Sequence, residues 1–598
     1  MIMVSQFIRD LRRRGVFGTI AIYVIAAWVI VQVASEVFPA FNIPEFAIRY
    51  VWIGVAVSFP LALIVGWMYD ISARGISRTS RAGSGEGSDT PLNRLDFLVL
   101  SGIAAMGIGI VITLFGEIVK LQEPDRVQTT FREADPNSVA VLPLDNFTGN
   151  PEQEYFVAGL HEALTASLTG ISALKVISRT SASTFVNTDK TLPEIGRELG
   201  AANIIEGSVF RSGDRVRITV QLINALTDEH LWAENYEREI LDVLALHGEV
   251  ARDIARQIQV TLTPEEDLRL REVREVDPAI YQLYLKGMYF LKQYTPGGIQ
   301  KGLGYLHQAV ELDPANARAY AGLALGYNTI GHGIGRDAFP KALAAARQAL
   351  ALDEYSGEAW AALAEAQLYY DYDWEESDRS TKRALQLAPS LDHAHAHYAY
   401  LLALLGRWDE VFIHAEKARE LSPLDPTWAF FAGWLYMSRE DFDRAEELMF
   451  EALELAPSFP LGLYGLGELY RTQGRIDEAI VVHEKIPTGN PVRNWALGPT
   501  YAVDGREVDA LKVVADMSAD PGPKDKLFLA FTYAALGDFD EAMRWFDICY
   551  ETRVDWLPWI VLDQSYGGVL EDGIRNDPRF QSLIKKLDLP QQSTEARL

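Results

Sequence analysis

VELDP at 310–314 is the first of five similar phrases in the C-terminal half of the chain, followed by LALDE at 350–354, LQLAP at 385–389, ELSPL at 420–424 and LELAP at 453–457. The leucine that they share falls at 312, 352, 387, 421 and 455, so neighbouring copies are 34 to 40 residues apart. A second phrase, for example GRIDEA at 474–479, repeats out of phase with the first. A period near 34 residues with this content predicts paired helices stacked as a solenoid.

Within one period, small residues and a proline fall at fixed positions. The unit that begins at Pro426 places Gly433, Tyr436, Ala445, Ala452 and Pro457 at its positions 8, 11, 20, 27 and 32. Small residues at positions 8 and 20 let the two helices of a pair approach closely, and the proline ends the second helix. This pattern resembles the tetratricopeptide repeat (TPR) family. The resemblance implies an all-α TPR solenoid of about eight units over residues 275–553, with a cap and tail over 554–598.

Three apolar runs without a charged residue lie near the N-terminus, at 16–34, 51–68 and 97–115. Each is close to the ~20 residues that cross a bilayer, so we expect a three-helix transmembrane anchor over residues 1–119. Arginines precede the first run and fill the loop between the second and third. The positive-inside rule then predicts a multi-pass inner-membrane protein with a cytoplasmic N-terminus and residues 120–598 in the periplasm. The first two runs also resemble the membrane-anchoring leader of bacterial repeat proteins.

Between the apolar runs and the repeats, residues 120–136 are polar and predict a tether, and residues 137–264 mix strand and helix patterns. We expect strands at 138–144, 174–179, 202–210, 215–225 and 230–233, and helices at 154–169, 192–199 and 240–262. This is the pattern of an α/β domain. The phrases SVAVLPLDNFTGN and IGRELGAANIIEGSVF resemble the TolB N-terminal or FlgO-like domain, which in relatives often joins a TPR array. As a whole, the chain resembles a bacterial membrane-anchored TPR protein with three kinds of domain.

Charge and cysteine content exclude some classes of function. The formal net charge is −27, and phosphate backbones are bound by basic stripes, of which the sequence has none, so we expect no nucleic-acid partner. Cys549 is the only cysteine, which rules out a disulfide within the chain and a zinc site built from several cysteines. The oligomeric state is left open by the sequence.

The histidines of HAHAHY at 393–398 raise the question of a metal site. On a helix His393 and His397 share a face while His395 points away, so at most two of them could bind one ion. The three also fall where packing and groove-lining residues belong in a TPR unit. We therefore favour a structural role.

Two other motifs could suggest chemistry. GHGIGR at 331–336 has three glycines but lacks the preceding strand and the Gly-Lys-Ser/Thr of a phosphate loop, so we expect a loop between helices. Asp145, Glu152 and Glu154 come just before a helix, where acidic residues are favoured by the helix dipole. The sequence thus predicts no catalytic residue, no metal ligand and no cofactor.

The better candidate is a surface. In a TPR superhelix, helix positions 2, 5 and 9 line the concave groove, and here they supply mostly aromatic residues, namely His393, Tyr400, Phe430, Trp434, Tyr464, Trp495 and Phe531. Aromatic groups in a groove are typical anchors for peptides or partner helices. The alternative is that several of them pack against the next repeat.

From these observations we predict a non-enzymatic scaffold that binds protein or peptide partners through the groove. One alternative is a transmembrane sensor that couples a periplasmic binding event to a cytoplasmic effector. The other is an enzyme with its site at the junction between the α/β domain and the first repeat. That site would require clustered carboxylates with shifted pKa values, or a metal.

Overall fold

The computed structural model describes most of the chain beyond residue 133. The described ranges are 134–150, 153–213, 215–239, 243–271, 277–333, 336–562, 569–570 and 572–589, with positions 23–25, 27–29, 31–33, 55, 59, 69–72 and 75–78 near the N-terminus. The chain divides into two compact units, Met1–Thr130 and Phe131–Leu598. The second unit contains both the sheet and the helical repeats.

A short hairpin is the main described feature of the first unit. Its strands are β1 (Tyr69–Ser72) and β2 (Gly75–Arg78), which pair antiparallel with Tyr69 opposite Arg78. The sequence analysis did not anticipate these strands. Further toward the N-terminus, residues 23–25, 27–29 and 31–33 are helical.

The expected three-helix anchor and the lipid bilayer as a partner are not supported, and the multi-pass inner-membrane placement is contradicted. Across the described positions, none of the helices combines the length and the apolar character needed to cross a membrane. The longest of them, Pro296–Leu312 and Ala317–Gly333, have 17 residues each, whereas crossing takes about 20 mostly apolar residues. Except at a few positions, the three apolar runs lie outside the described residues. The placement of residues 120–598 in the periplasm depended on the expected anchor and is overturned together with the membrane placement.

The α/β domain begins with β3 (Ser138–Val141) and continues to residue 271. Its elements in order are β3, β4 (Asp145–Asn146), α1 (Glu154–Thr169), β5 (Lys175–Val176), α2 (Arg179–Ala182), α3 (Leu192–Leu199), β6 (Asn203–Ser212), β7 (Arg215–Asn224), β8 (Glu229–Glu239), α4 (Val243–Gln257) and α5 (Pro264–Arg271). The strand order is β5-β3-β6-β7-β8, with β4 also paired to β6. Pairs of β3 are parallel, whereas β6, β7 and β8 are antiparallel.

One face of this sheet is covered by α1 and α4. The apolar residues of α1 that the spacing predicts, such as Phe156, Leu160 and Leu168, are buried against the strands. The strand β8 is longer than expected because it pairs with β7 along its whole length, from Glu229 opposite Asn224 to Glu239 opposite Arg215. Conversely, β5 is only two residues long, since the chain after it turns toward the helical repeats.

Eight helical pairs follow in the described part of the chain. They are α6 (Pro278–Leu291) with α7 (Pro296–Leu312), α8 (Ala317–Gly333) with α9 (Phe339–Leu352), α10 (Gly357–Ala366) with α11 (Trp374–Leu387), α12 (Asp392–Leu404) with α13 (Trp408–Leu421), α14 (Pro426–Met437) with α15 (Phe442–Leu455), α16 (Pro460–Thr472) with α17 (Ile476–His483), α18 (Pro491–Val503) with α19 (Glu507–Ser518), and α20 (Pro523–Ala535) with α21 (Phe539–Glu551). They share one continuous apolar core. The 34-residue period therefore corresponds to TPR-type helical pairs.

The turn inside each of the later pairs explains the second repeated phrase. Gly406, Gly474, Gly505 and Gly537 all adopt a positive φ, between 72° and 78°. Glycine is favoured in this left-handed region because it has no Cβ. In the fifth pair the corresponding turn has the sequence RED at 439–441 and no glycine, and Glu440 takes the same conformation, with φ 61°.

Residues after α21 do not stack as a further hairpin. Val554, Leu557, Trp559, Ile560 and Leu562 are all buried in the solenoid core. The stretch contains one 3-10 turn, Leu557–Val561, and is followed by α22 (Asp572–Arg575) and α23 (Pro578–Lys586). We call residues 553–562 the C-terminal segment. The sequence predicted a cap and tail over residues 554–598, whereas the C-terminal segment crosses the inner side of the solenoid.

Candidate partner-binding groove

The inner face of the solenoid is formed by the first helix of each pair. The C-terminal segment contacts α8 through His332, α12 through Tyr400, α18 through Trp495 and α20 through Lys524. The phenolic hydroxyl of Tyr372, just after α10, donates a hydrogen bond of 2.9 Å to the carbonyl oxygen of Val554. The segment therefore lies across the face that sequence analysis assigns to partners.

The groove residues predicted from sequence lie on this face, but most are not open to solvent. Tyr400, Phe430, Trp434, Tyr464 and Phe531 are buried, Trp495 is half-buried, and the side chain of His393 is 32% exposed. Their function as partner contacts stays a prediction, because burial by the protein's own chain does not show what else they bind.

Some of these rings contact the C-terminal segment directly. The ring of Trp559 lies edge-on to that of Tyr400, with centroids 3.9 Å apart. Trp556 lies 6.1 Å from Trp495 and 6.3 Å from Phe528, both in edge contact. Such edge-to-face pairs are worth about 0.5–1.5 kcal/mol beyond their burial. The two tryptophans are thus the main aromatic anchors of the segment.

Other rings contact one another along the groove. Trp434 stacks on Tyr464 at 5.6 Å, and Tyr464 meets Phe528 of α20 edge-on at 5.9 Å. Phe531 packs on Phe546 of α21 at 5.8 Å. The alternative in which the predicted aromatics pack between repeats therefore also describes part of the set. For the other residues of the set, partner contact stays a prediction.

A buried ionic cluster fixes the start of the C-terminal segment. The Asp555 carboxylate is 2% exposed, and its Oδ2 lies 3.0 Å from the Lys524 ammonium and 2.9 Å from Nδ1 of His332. The other nitrogen of His332, Nε2, lies 2.9 Å from a carboxylate oxygen of Glu365 on α10. Lys524 also donates a 2.5 Å hydrogen bond to the His332 carbonyl oxygen. We call His332, Glu365, Lys524 and Asp555 the ionic latch.

Electrostatics in the latch favour the charged forms. Burial alone would lower the pKa of His332, but hydrogen bonds to Asp555 and Glu365, and their negative charges, raise it to about 9. Burial alone would raise the pKa of Asp555, yet the charge of Lys524 and the hydrogen bond from His332 lower it to about 2. Near neutral pH the latch thus holds a protonated imidazole between two carboxylates.

The three histidines of HAHAHY have separate partners. His393 pairs with Asp392 at 3.4 Å, His395 meets His414 at 2.8 Å, and a hydroxyl–ring contact of 3.0 Å joins Tyr369 to His397. Burial lowers the pKa of His397 to about 4, so it is neutral at physiological pH. In the part of the chain that the structure describes, no three His, Cys, Asp or Glu side chains are arranged to hold a metal ion.

The two other motifs are also placed in the fold. Gly331 and Gly333 belong to the last turn of α8 rather than to a loop, and a Cβ at Gly331 would lie 2.6 Å from the ring of Phe339. Asp145 and Glu154 lie at the surface, where Glu154 accepts a 3.1 Å hydrogen bond from Asn146. Glu152 lies outside the described residues.

The α/β domain packs directly on the middle of the solenoid, which sequence analysis did not anticipate. The Ser178 amide donates to the Leu421 carbonyl at 2.7 Å, and the Leu424 amide donates to the Ser181 hydroxyl at 3.0 Å. The Val176 amide donates to the Ser390 hydroxyl at 3.1 Å. The loops that follow α11 and α13 therefore extend the hydrogen bonding of the domain's edge strand.

Charged groups at this junction are paired. Glu162 lies 3.3 Å from the ammonium of Lys292, which caps the C-terminal end of α6, and 3.3 Å from the guanidinium of Arg179. Burial alone would raise the pKa of Glu162, but these two cations lower it. Lys175 lies 3.6 Å from Glu420. The pairs Glu162–Lys292 and Lys175–Glu420 tie the α/β domain to the solenoid, and the first of them lies where the enzyme alternative places its site.

Sequence reasoning missed the ionic latch. His332 and Lys524 lie 192 residues apart in hydrogen-bond contact, and a repeat pattern carries no information about contacts between the ends of a solenoid. The one local signal was the pair Trp556 and Trp559, which the sequence analysis assigned to the cap. Two tryptophans in an apolar run after the last repeat were a hint that the run is buried.

No family model matches the chain. A protein of Rhizobium meliloti (strain 1021) named "Putative adenylate cyclase 3" is 37% identical over 188 residues, which is 31% of this chain and 32% of that protein. The chain thus spans about a third of the length of that relative.

Solved structures with similar folds include three repeat proteins. Human IFIT1 in its dimer with PPP-AAAA is 17% identical, with 52% of this chain and 79% of that chain covered and a TM-score of 0.35. PilF of Pseudomonas aeruginosa is 20% identical (35% and 92% covered, TM-score 0.28), and YrrB, described as a TPR protein with an unusual peptide-binding site, is 18% identical (31% and 95% covered, TM-score 0.24). The likeness to these proteins is one of fold alone.

Proposed function

We propose that this protein is an interaction scaffold whose solenoid binds a peptide segment of a partner protein along its inner face. The observation that supports this is the C-terminal segment itself, because the groove already accommodates ten consecutive residues of polypeptide. They are held by aromatic contacts, by an ion pair and by a hydrogen bond to a backbone carbonyl. These are the same kinds of interaction that anchor peptides in helical grooves.

The α/β domain contributes to this role by fixing the solenoid. Its edge strand bonds to the loops after α11 and α13, and Glu162 pairs with Lys292 of the first repeat helix. A groove held at both places loses less conformational entropy when a partner binds, which increases affinity. We therefore propose that the domain acts as a brace for the binding surface, and we assign no catalytic step to it.

A photo-crosslinking experiment in cells tests the proposed function. A photoreactive amino acid replaces His393, which lies on the inner face and is partly exposed, and a second variant carries it at Val508, which is 83% exposed on the second helix of its pair. We expect defined partner adducts from position 393 that are absent from position 508. Equal adducts from both positions would contradict a role for the groove.

A further inference from the structure

We propose that the C-terminal segment is an intramolecular ligand of the groove, and that the partner peptide has the same chemistry: a carboxylate followed by two tryptophans three residues apart in an apolar run. This inference rests on the proposed function and specifies its partner. In the segment these groups are Asp555, Trp556 and Trp559. A partner with this chemistry would bind by displacing the segment.

The groove recognises the segment by its chemical groups. Lys524 and His332 bind the Asp555 carboxylate, Tyr372 binds the backbone carbonyl of Val554, and Tyr400 packs on Trp559. The recognising groups come from α8, α12, α20 and the turn after α10, so the segment joins helices from both ends of the solenoid. A peptide with the same groups would meet the same donors and rings.

The segment does not fill the groove completely. A small cavity remains between the segment and the inner face, lined by Tyr400, Phe430, Trp434, Trp556 and Trp559. Core packing normally leaves few such gaps, and atoms that line a gap lose dispersion contacts. A ligand with a better fit to this aromatic space would therefore compete with the segment.

The last repeat stays covered by α23 when the segment leaves the groove. Helix α23 packs on α21 through Phe580 and Phe546, whose ring centroids are 5.5 Å apart. The Tyr550 hydroxyl also donates to the Lys586 carbonyl at 3.2 Å. The C-terminal segment lies between these two helices in sequence, so it can loop out while they stay together. A solenoid needs such a terminal cap to keep its last apolar face from solvent.

Competition arithmetic predicts how the closed groove behaves. A tethered ligand acts at an effective concentration in the millimolar range, so it competes strongly with a free peptide. The apparent affinity of the free peptide is reduced by the fraction of molecules whose groove is open. Weakening the latch raises this fraction, and the affinity for added peptide must then rise in proportion.

The test uses the full chain and a fluorescent peptide with the sequence of residues 553–562, RVDWLPWIVL. Its affinity is measured for the unmodified protein, for Asp555→Asn, and for Asp516→Asn as a control, since Asp516 is exposed on α19, the second helix of its pair. We expect Asp555→Asn to bind the peptide at least ten-fold more tightly than the other two proteins do. We also expect a peptide with alanine in place of its second tryptophan to lose this binding. Equal affinity of all three proteins would overturn the proposal.

Hydrogen exchange on the unmodified protein supplies a second readout that does not depend on the variant folding. Addition of excess peptide should accelerate amide exchange within residues 553–562 and leave α23 protected. An unchanged exchange rate at saturating peptide would overturn the proposal. So would a concentration-dependent dimer in which the segment of a second copy fills the groove. Partner adducts at position 393 with the segment still protected from exchange would overturn this inference alone. If position 393 gives no partner adducts in the unmodified protein and none in Asp555→Asn, the proposed function is overturned.

Discussion

Trp559 is the aromatic residue of the C-terminal segment that packs most closely against the groove. It is 3% exposed and lies against the ring of Tyr400 at 3.9 Å. Truncation of a buried aromatic side chain typically costs about 3–5 kcal/mol. We expect Trp559→Ala to lower the free energy of unfolding in urea by that amount, and Phe450→Ala, which removes a 45% exposed ring, by less than about 1 kcal/mol. Similar losses for both would show that Trp559 is not buried in the groove.

His332 predicts a pH dependence with a definite sign. Its pKa is about 9 in the folded protein against an ordinary 6.5, so the latch contributes its full stability below pH 6.5 and loses it as the pH rises to about 9. The facing groups do not cancel this change, because Asp555 and Glu365 have a pKa of about 2 and His397 one of about 4. The resulting loss in the free energy of unfolding is at most about 3 kcal/mol.

Urea unfolding at several pH values checks this expectation. The unmodified protein should lose more stability between pH 6.5 and pH 9 than His332→Gln does, because the glutamine does not titrate. As a control, His307→Gln changes a histidine that lies outside the latch, hydrogen-bonded to Tyr327, and its pH profile is compared with that of His332→Gln. Parallel profiles for His332→Gln and the unmodified protein would refute the latch.

Among the elements, the helical pair α16 and α17 depends on one close approach. A Cβ at Gly467 would lie 2.0 Å from Nε2 of His483, whose ring is fully buried. The ring cannot move away without disturbing the pair, so we expect Gly467→Ala to cost about 1–3 kcal/mol. Gly304 in α7 has nothing within 4 Å of the same position. Gly304→Ala should therefore stabilise the protein by about 0.5–1 kcal/mol, and thermal or urea unfolding distinguishes the two signs.

The junction between β5 and the loop after α11 depends on the Ser390 hydroxyl. It accepts the Val176 amide at 3.1 Å and donates to the Leu174 carbonyl at 3.3 Å. Ser390→Ala leaves a buried amide without its acceptor, and we expect a loss of about 1–3 kcal/mol. Ser458→Ala, at an exposed position in the loop after α15, should be nearly neutral. Equal effects of the two substitutions on urea unfolding would show that this hydrogen bond does not stabilise the junction.

At the scale of the whole molecule, the repeat period predicted the helical pairs well because each pair depends on local spacing. The turn glycines and the small residues between helices are visible within any 34-residue window, and α1 and α3 followed from their apolar spacing in the same way. Contacts between distant parts could not be predicted. Asp555 meets His332 across 223 residues, and Ser390 meets Val176 across 214.

The membrane assignment was wrong for a related reason. The spans were expected from their length, their lack of charge and the resemblance of the first two runs to a leader, whereas no helix among the described residues has the length and apolar character to cross a membrane. In the groove, residues such as Tyr400 and Trp434 were expected on the inner face, and they lie there. Their burial by the C-terminal segment could not be foreseen, because a repeat motif describes a groove without describing what fills it.

The central claim is that the inner face of the solenoid is a peptide-binding groove closed by the protein's own residues 553–562. A photoreactive phenylalanine analogue in place of Phe430, which lines the cavity beside Trp556 and Trp559, tests this most directly. In the purified full chain we expect the adduct to form within residues 553–562, and we expect added RVDWLPWIVL peptide to replace part of that internal adduct. An adduct elsewhere in the chain, or an internal adduct that saturating peptide leaves unchanged, would contradict the account.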